Sequence, residues 1–135
     1  MKFTRILLVT LLASIFCAGG RHSAKAQAWP TRPITLVVGF AAGAGPADMV
    51  GRLFADYASR QLSQPVIVEN KPGGGGIVGF ISVSKAAPDG YTILIHALGP
   101  MILRPILDPM AGYDPLKDFS PIGLAVDVPT VITSG

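Results

Sequence analysis

The sequence is poor in the residues from which most catalytic and metal sites are built. It holds one cysteine, Cys17, and two histidines, His22 and His96. A lone cysteine closes no internal disulfide, so the fold must rely on packing. Neither a second cysteine nor a histidine cluster is present to supply a zinc site. Ser59, Ser63, Ser82 and Ser84 lie outside any G-x-S-x-G turn, which leaves a serine hydrolase unsupported. Gly43-x-Gly45 lacks the third glycine of a dinucleotide fingerprint, because Asp48 occupies that slot. A Walker phosphate loop is also missing: Lys71 precedes the run Gly73 to Gly76, where that motif needs a lysine after its last glycine.

The one long apolar run, Ile6 to Ala18, follows Lys2 and Arg5. That is the layout of a cleavable export signal, and the run falls short of the roughly 20 residues that span a bilayer as a helix. Small-x-small cleavage sites end at Ala26 and at Ala28; the second is preferred because Pro30 soon follows. Phe16, ahead of Cys17, is too large for lipoprotein processing. Residues 1–28 thus read as a signal peptide and the rest of the chain as working outside the cytoplasm. Lys2, Arg5, Arg21 and Lys25 all fall within this segment, as do Cys17 and His22. The remainder has seven basic and eight acidic residues, a formal charge of −1 in place of +3. A nucleic-acid partner then loses its electrostatic basis.

Roughly 107 residues remain, enough for one small domain. Ile34 to Phe40, Val66 to Glu69 and Tyr91 to His96 are short, apolar and β-branched, which predicts three strands. Helical patterns follow the first two, from about Asp48 to Leu62, with Met49, Leu53, Tyr57 and Leu62 as the buried positions, and from about Ile77 to Ala86. The alternation predicts an α/β fold with a parallel sheet. Pro88-Asp89-Gly90 is a turn, Gly99 to Pro109 a loop with a short helix, and Tyr113 to Phe119 a polar connector. Ile122 to Val126 and Val131 to Thr133 are predicted as further strands.

Two glycine-rich loops, at Gly43 to Gly45 and Gly73 to Gly76, lie beyond the carboxyl ends of the first two strands. There, free backbone N–H groups and close backbone approach suit a carboxylate or phosphate; tight turns alone are the plainer explanation. His96 ends an apolar strand, a place where a lone histidine is more often structural than catalytic. Asp108, Asp114, Asp118 and Asp127 read as turn or surface carboxylates, and Arg104 as half of a surface salt bridge.

Four stretches, WPTRPITLVVGFAAG from Trp29, QPVIVENKPGGGGIVG from Gln64, KAAPDGYTILI from Lys85 and YDPLKDFSPIGL from Tyr113, together carry a resemblance. They resemble the substrate-binding receptors of tripartite tricarboxylate transporters, the Bug family of periplasmic solute-binding proteins. The resemblance implies one parallel-sheet lobe of a Venus flytrap fold, with the second lobe missing and residues 29–135 forming an incomplete N-terminal α/β lobe. It implies a small carboxylate ligand, the membrane components of such a transporter as partners, no cofactor and no enzymatic activity. The ligand-binding positions it implies are Phe40, Ala41, Gly43, Gly45, Asp48, Gly75, Gly76 and His96. Two features depart from the family pattern. Gly39 stands where a proline is usual, and the loop from Gly43 to Asp48 is one residue longer.

Two alternatives stand beside this reading. One is a small exported α/β enzyme that uses His96 with Asp48 or Asp127. The other is a truncated, non-functional product whose core surface is left bare.

Overall fold

The computed structural model describes residues 28–108 and 110–127. The predicted export signal, Ala28 apart, and the strand predicted at Val131 to Thr133 lie outside the described residues.

Strand β1, Ile34–Val38, is the centre of the fold. Ile34, Leu36, Val37 and Val38 are each 2% exposed or less, as a strand covered on both faces must be. β2, Val66–Asn70, and β3, Thr92–Ile95, pair with its two edges. Both pairings are parallel, giving the order β2-β1-β3, with Leu36 opposite Val68 on one side and Ile93 on the other. The α/β architecture expected from the alternating pattern is present. The first and third predicted strands overrun, since Gly39, Phe40, Tyr91 and His96 leave the ladder, and the second continues one residue further, to Asn70.

Helix α1, Pro46–Leu62, joins β1 to β2, and α2, Ile77–Ser84, joins β2 to β3 after a 3-10 turn at Gly74–Gly76. The first crossover runs outward from β1 to β2 and the second back from β2 past β1 to β3, so right-handed connections place the helices on opposite faces. On one face Ile34, Leu36 and Val66 meet Ala55 and Ala58 of α1. On the other, Phe80 of α2 meets Leu94, Tyr113 and Met101. Met101 belongs to α3, Leu98–Leu107, which begins with Pro100 in its first turn, where a missing N–H costs nothing. Among the described residues no helix is long and apolar enough to cross a membrane.

The face that α1 buries differs from the predicted one. Met49 and Leu53 are each 66% exposed and Tyr57 62%, whereas Asp48, Gly51, Ala55 and Ala58 are buried; of the predicted set only Leu62 packs on the core. The cause lies at Gly51. A side-chain carbon there would come within 3.1 Å of Val38 Cγ2 and 3.3 Å of Ile95 Cγ2. Small residues therefore set the distance between helix and sheet, and the large apolar ones face outward.

A second correction concerns Ile122 to Val126. This stretch forms no strand: among the described residues nothing pairs with it, and Ile122, Leu124 and Val126 are 84%, 81% and 49% exposed. The connector before it is built as expected around Asp114, whose Oδ1 accepts the Leu116 N–H at 2.9 Å. Tyr113 docks that connector by donating its hydroxyl to the Met101 carbonyl at 3.0 Å and setting its ring edge-on to Phe80 and Phe119. Burial pushes the Tyr113 hydroxyl pKa up.

Phe80→Ala is expected to lower stability in urea by about 3–5 kcal/mol, through lost burial and a cavity. Leu53→Ala should change it by less than about 0.5 kcal/mol, because that side chain is already in water. Equal losses would return the apolar stripe of α1 to the core.

Candidate functional site

Parallel pairing brings the carboxyl ends of all three strands to one edge of the sheet, so the loops after β1, β2 and β3 are neighbours. In the order β2-β1-β3 the chain steps from β1 to β2 and then back across β1 to β3, so the strand order reverses at β1, and crevices in open parallel sheets form beside such reversals.

The β1–α1 loop is held by its own backbone. Ala44 N–H donates to the Ala41 carbonyl at 2.9 Å and Gly45 N–H to Gly43 at 3.2 Å. Gly43 and Gly45 have φ of 74° and 86°, and Gly75 in the second loop has 69°, a region that residues with a Cβ rarely enter. A Cβ on any of these three would meet nothing within 4 Å. Bare backbone thus faces open space at three of the predicted positions. Gly76 is different: it is buried, and a Cβ there would lie 2.9 Å from Phe80 Cζ, so packing alone demands glycine.

The two loops touch. A Cβ on Gly39 would lie 3.0 Å from Gly76 Cα, and one on Gly79 would lie 2.9 Å from Gly39 Cα. Gly39, a departure from the family pattern in sequence, is therefore where the second loop closes on the first. Gly79 carried no signal beyond its small size.

Asp48 is buried, with its side chain 4% exposed. Its Oδ2 accepts Gly43 N–H at 2.8 Å and Arg52 Nε at 2.9 Å. Its Oδ1 accepts Arg52 Nη2 at 3.1 Å and Asn70 Nδ2 at 2.8 Å. The Arg52 hydrogen bonds, then those from Asn70 and Gly43, hold the carboxyl pKa down at about 2. Four bonds fill the acceptor positions of a carboxylate, so Asp48 organises the loop from within. Asn70 Nδ2 also donates to the Phe40 carbonyl at 2.9 Å, tying the end of β2 to that of β1. Arg52 and Asn70 escaped the sequence reading. The spacing Asp48-x-x-x-Arg52 is a helical i,i+4 pair and signals the first, whereas Asn70 had only its place at a strand end. Lys71 anchors the second loop by donating to Ser82 Oγ at 2.7 Å.

His96 is half-buried; its Nδ1 lies 2.8 Å from the Ala97 carbonyl and its ring stands edge-on to Phe80 at 5.2 Å. It lines a groove of about 630 Å³ with Thr92, Leu94, Leu98 and Met101, outside both glycine loops. Phe40, Ala41, Gly43, Gly45 and Asp48 thus share the first loop, Gly75 and Gly76 the second, and the two loops meet where Gly39 approaches Gly76. His96 is joined to Gly76 through Phe80, whose ring contacts both. The His96–Asp48 pair of the enzyme reading is not assembled, since Asp48 is engaged by Arg52, Asn70 and Gly43, and Asp127 is exposed.

A family model described as the tripartite tricarboxylate transporter family receptor matches residues 50–134. A UPF0065 protein of Agrobacterium vitis is 42% identical over 130 residues, covering 96% of this chain. The chain spans only 36% of that relative's length. Among solved structures, the periplasmic binding protein BugD is similar at 45% identity and a TM-score of 0.66, over 70% of this chain and 31% of BugD. MatC from Rhodopseudomonas palustris, solved with bound malate, is similar at 42% identity and a TM-score of 0.64, over 69% of this chain and 31% of MatC. The family match covers more than half of the sequence, and the fold agrees with it: this chain belongs to the tripartite tricarboxylate transporter receptor family.

Proposed function

We propose that this chain is exported to the periplasm, captures a small carboxylated solute and presents it to the membrane components of a tripartite tricarboxylate transporter. Residues 1–28 then serve as the cleavable signal, and the chain from Trp29 forms an N-terminal α/β lobe. The observation that carries the reading is the contact between two bare-backbone loops at the carboxyl ends of β1 and β2. The N–H groups of Gly43, Ala44 and Gly45 are engaged within the loop, so the surface for an anion that needs no basic side chain comes from the positive end of α1 and the open backbone at Gly75. The similarity to MatC with bound malate favours a carboxylate over other anions. Recognition through backbone reads the carboxylate and leaves the rest of the solute to neighbouring side chains. His96 and Phe40 contribute at the margins of the same edge.

Isothermal titration of the purified chain with malate and citrate should give saturable heat with a Kd of about 1 mM or weaker for the contacts these two loops supply. Heat no greater than for an uncharged sugar would count against the reading. A charge test is independent of the ligand's identity. Ala44, exposed on the β1–α1 loop, replaced by Glu should weaken malate binding about fivefold, and Ala44→Lys should strengthen it by a similar factor. Raising the salt concentration should shrink both effects. If both variants weaken binding alike, the loop is not the anion's resting place.

A further inference from the structure

We infer that Arg52 and Asn70 are positioning residues for the carboxylate-facing loop, holding its amides in place through Asp48 while keeping that aspartate's charge from the ligand. The inference rests on the carboxylate reading above. A loop that receives an anion ordinarily excludes acidic side chains, yet Asp48 lies in the first turn of α1 beside it. An unpaired carboxylate there would repel the ligand. The geometry removes the conflict. Arg52 approaches through both Nε and Nη2, a bidentate arrangement that neutralises the aspartate, and the Nη2 group also reaches Asn70 Oδ1 at 3.1 Å. Asn70 spends its two Nδ2 hydrogens on Asp48 and on the Phe40 carbonyl. One network therefore joins both flanks of the loop, the first turn of α1 and the end of β2.

The ion pair alone contributes little, because the Arg52 side chain is 52% exposed. Its planar fork matters more, since it satisfies both carboxylate oxygens at once. Loss of Asn70 leaves Oδ1 of a buried carboxylate short of one donor and frees the Phe40 carbonyl, so the loop loses its tie to β2. Neither residue needs to touch the ligand.

Arg52→Gln and Asn70→Ala test this by NMR on the purified chain, with Arg60→Gln as a control on the same helix, where Arg60 pairs with exposed Asp56. Amides of Leu36 and Val37 report whether the sheet remains folded. Hydrogen exchange at Gly43 should accelerate on the order of tenfold in the two test variants and not in the control. Asp48 is charged in the folded chain down to about pH 2, so its contribution is present above the usual carboxylate range and lost as pH falls through that value. In both test variants the pH at which the Asp48 carboxyl carbon titrates should move up by about one pH unit. Malate affinity should fall about tenfold alongside. Unchanged Gly43 exchange in both variants would overturn the inference, as would a loss of affinity with the loop unmoved, which would make Arg52 or Asn70 a direct ligand contact. Affinity unchanged with the loop opened would overturn it too. If the unaltered chain shows no response to malate, the carboxylate reading falls, and the Gly43 and Asp48 signals still decide whether Arg52 and Asn70 hold the loop.

Discussion

Pairing of β1 on both edges constrains everything else in the molecule. With β2 on one side and β3 on the other, all parallel, the chain must cross the sheet twice, in opposite directions and on opposite faces. Both faces of β1 are therefore covered, which is why four of its five residues are almost wholly out of water. The same constraint sends every strand exit to one edge. Loops far apart in sequence become neighbours there, and a site can form from short segments that carry little chemistry individually.

That closeness requires the absence of side chains. Gly39, Gly76 and Gly79 approach to within a distance at which a Cβ would collide with backbone. Phe80 fills the space beneath Gly76 and carries the contact on to His96 and Tyr113. Tyr113 and Phe119 continue the row of ring contacts into the connector. The stability of the second core and the shape of the second loop are thus one packing problem. A core substitution at Phe80 acts on the loop as well as on the fold.

The strands were legible in the sequence because apolar, β-branched runs bounded by proline and glycine have few other conformations to adopt. The glycine loops were legible for the same reason. The buried face of α1 was not, because two sets of residues share helical spacing. Met49, Leu53 and Tyr57 are the larger and more apolar set, but only Gly51, Ala55 and Ala58 let the helix approach the sheet. Ile122 to Val126 has a strand's composition, and pairing depends on a neighbouring strand that composition does not specify. At the site, the network around Asp48 was not legible because one of its partners arrives from a distance: Asn70 bonds Phe40 across 30 residues and Asp48 across 22. No local pattern encodes such a closure, although the i,i+4 spacing of Arg52 hinted at half of it.

Electrostatics then has to be judged locally. Beyond its first 28 residues the chain carries a formal charge of −1, which offers an anionic solute no general attraction. Under the proposed reading the attraction comes from the positive end of α1, which is effective only where no uncompensated carboxylate stands beside it. The helix start carries an aspartate that is nearly buried and bonded on both oxygens. Its charge has been turned inward to shape the loop, and the outward surface is left to glycine backbone. On the proposed reading, a carboxylate is held here by geometry rather than by net charge. On that reading, selectivity among carboxylates is left to side chains such as Phe40 and His96.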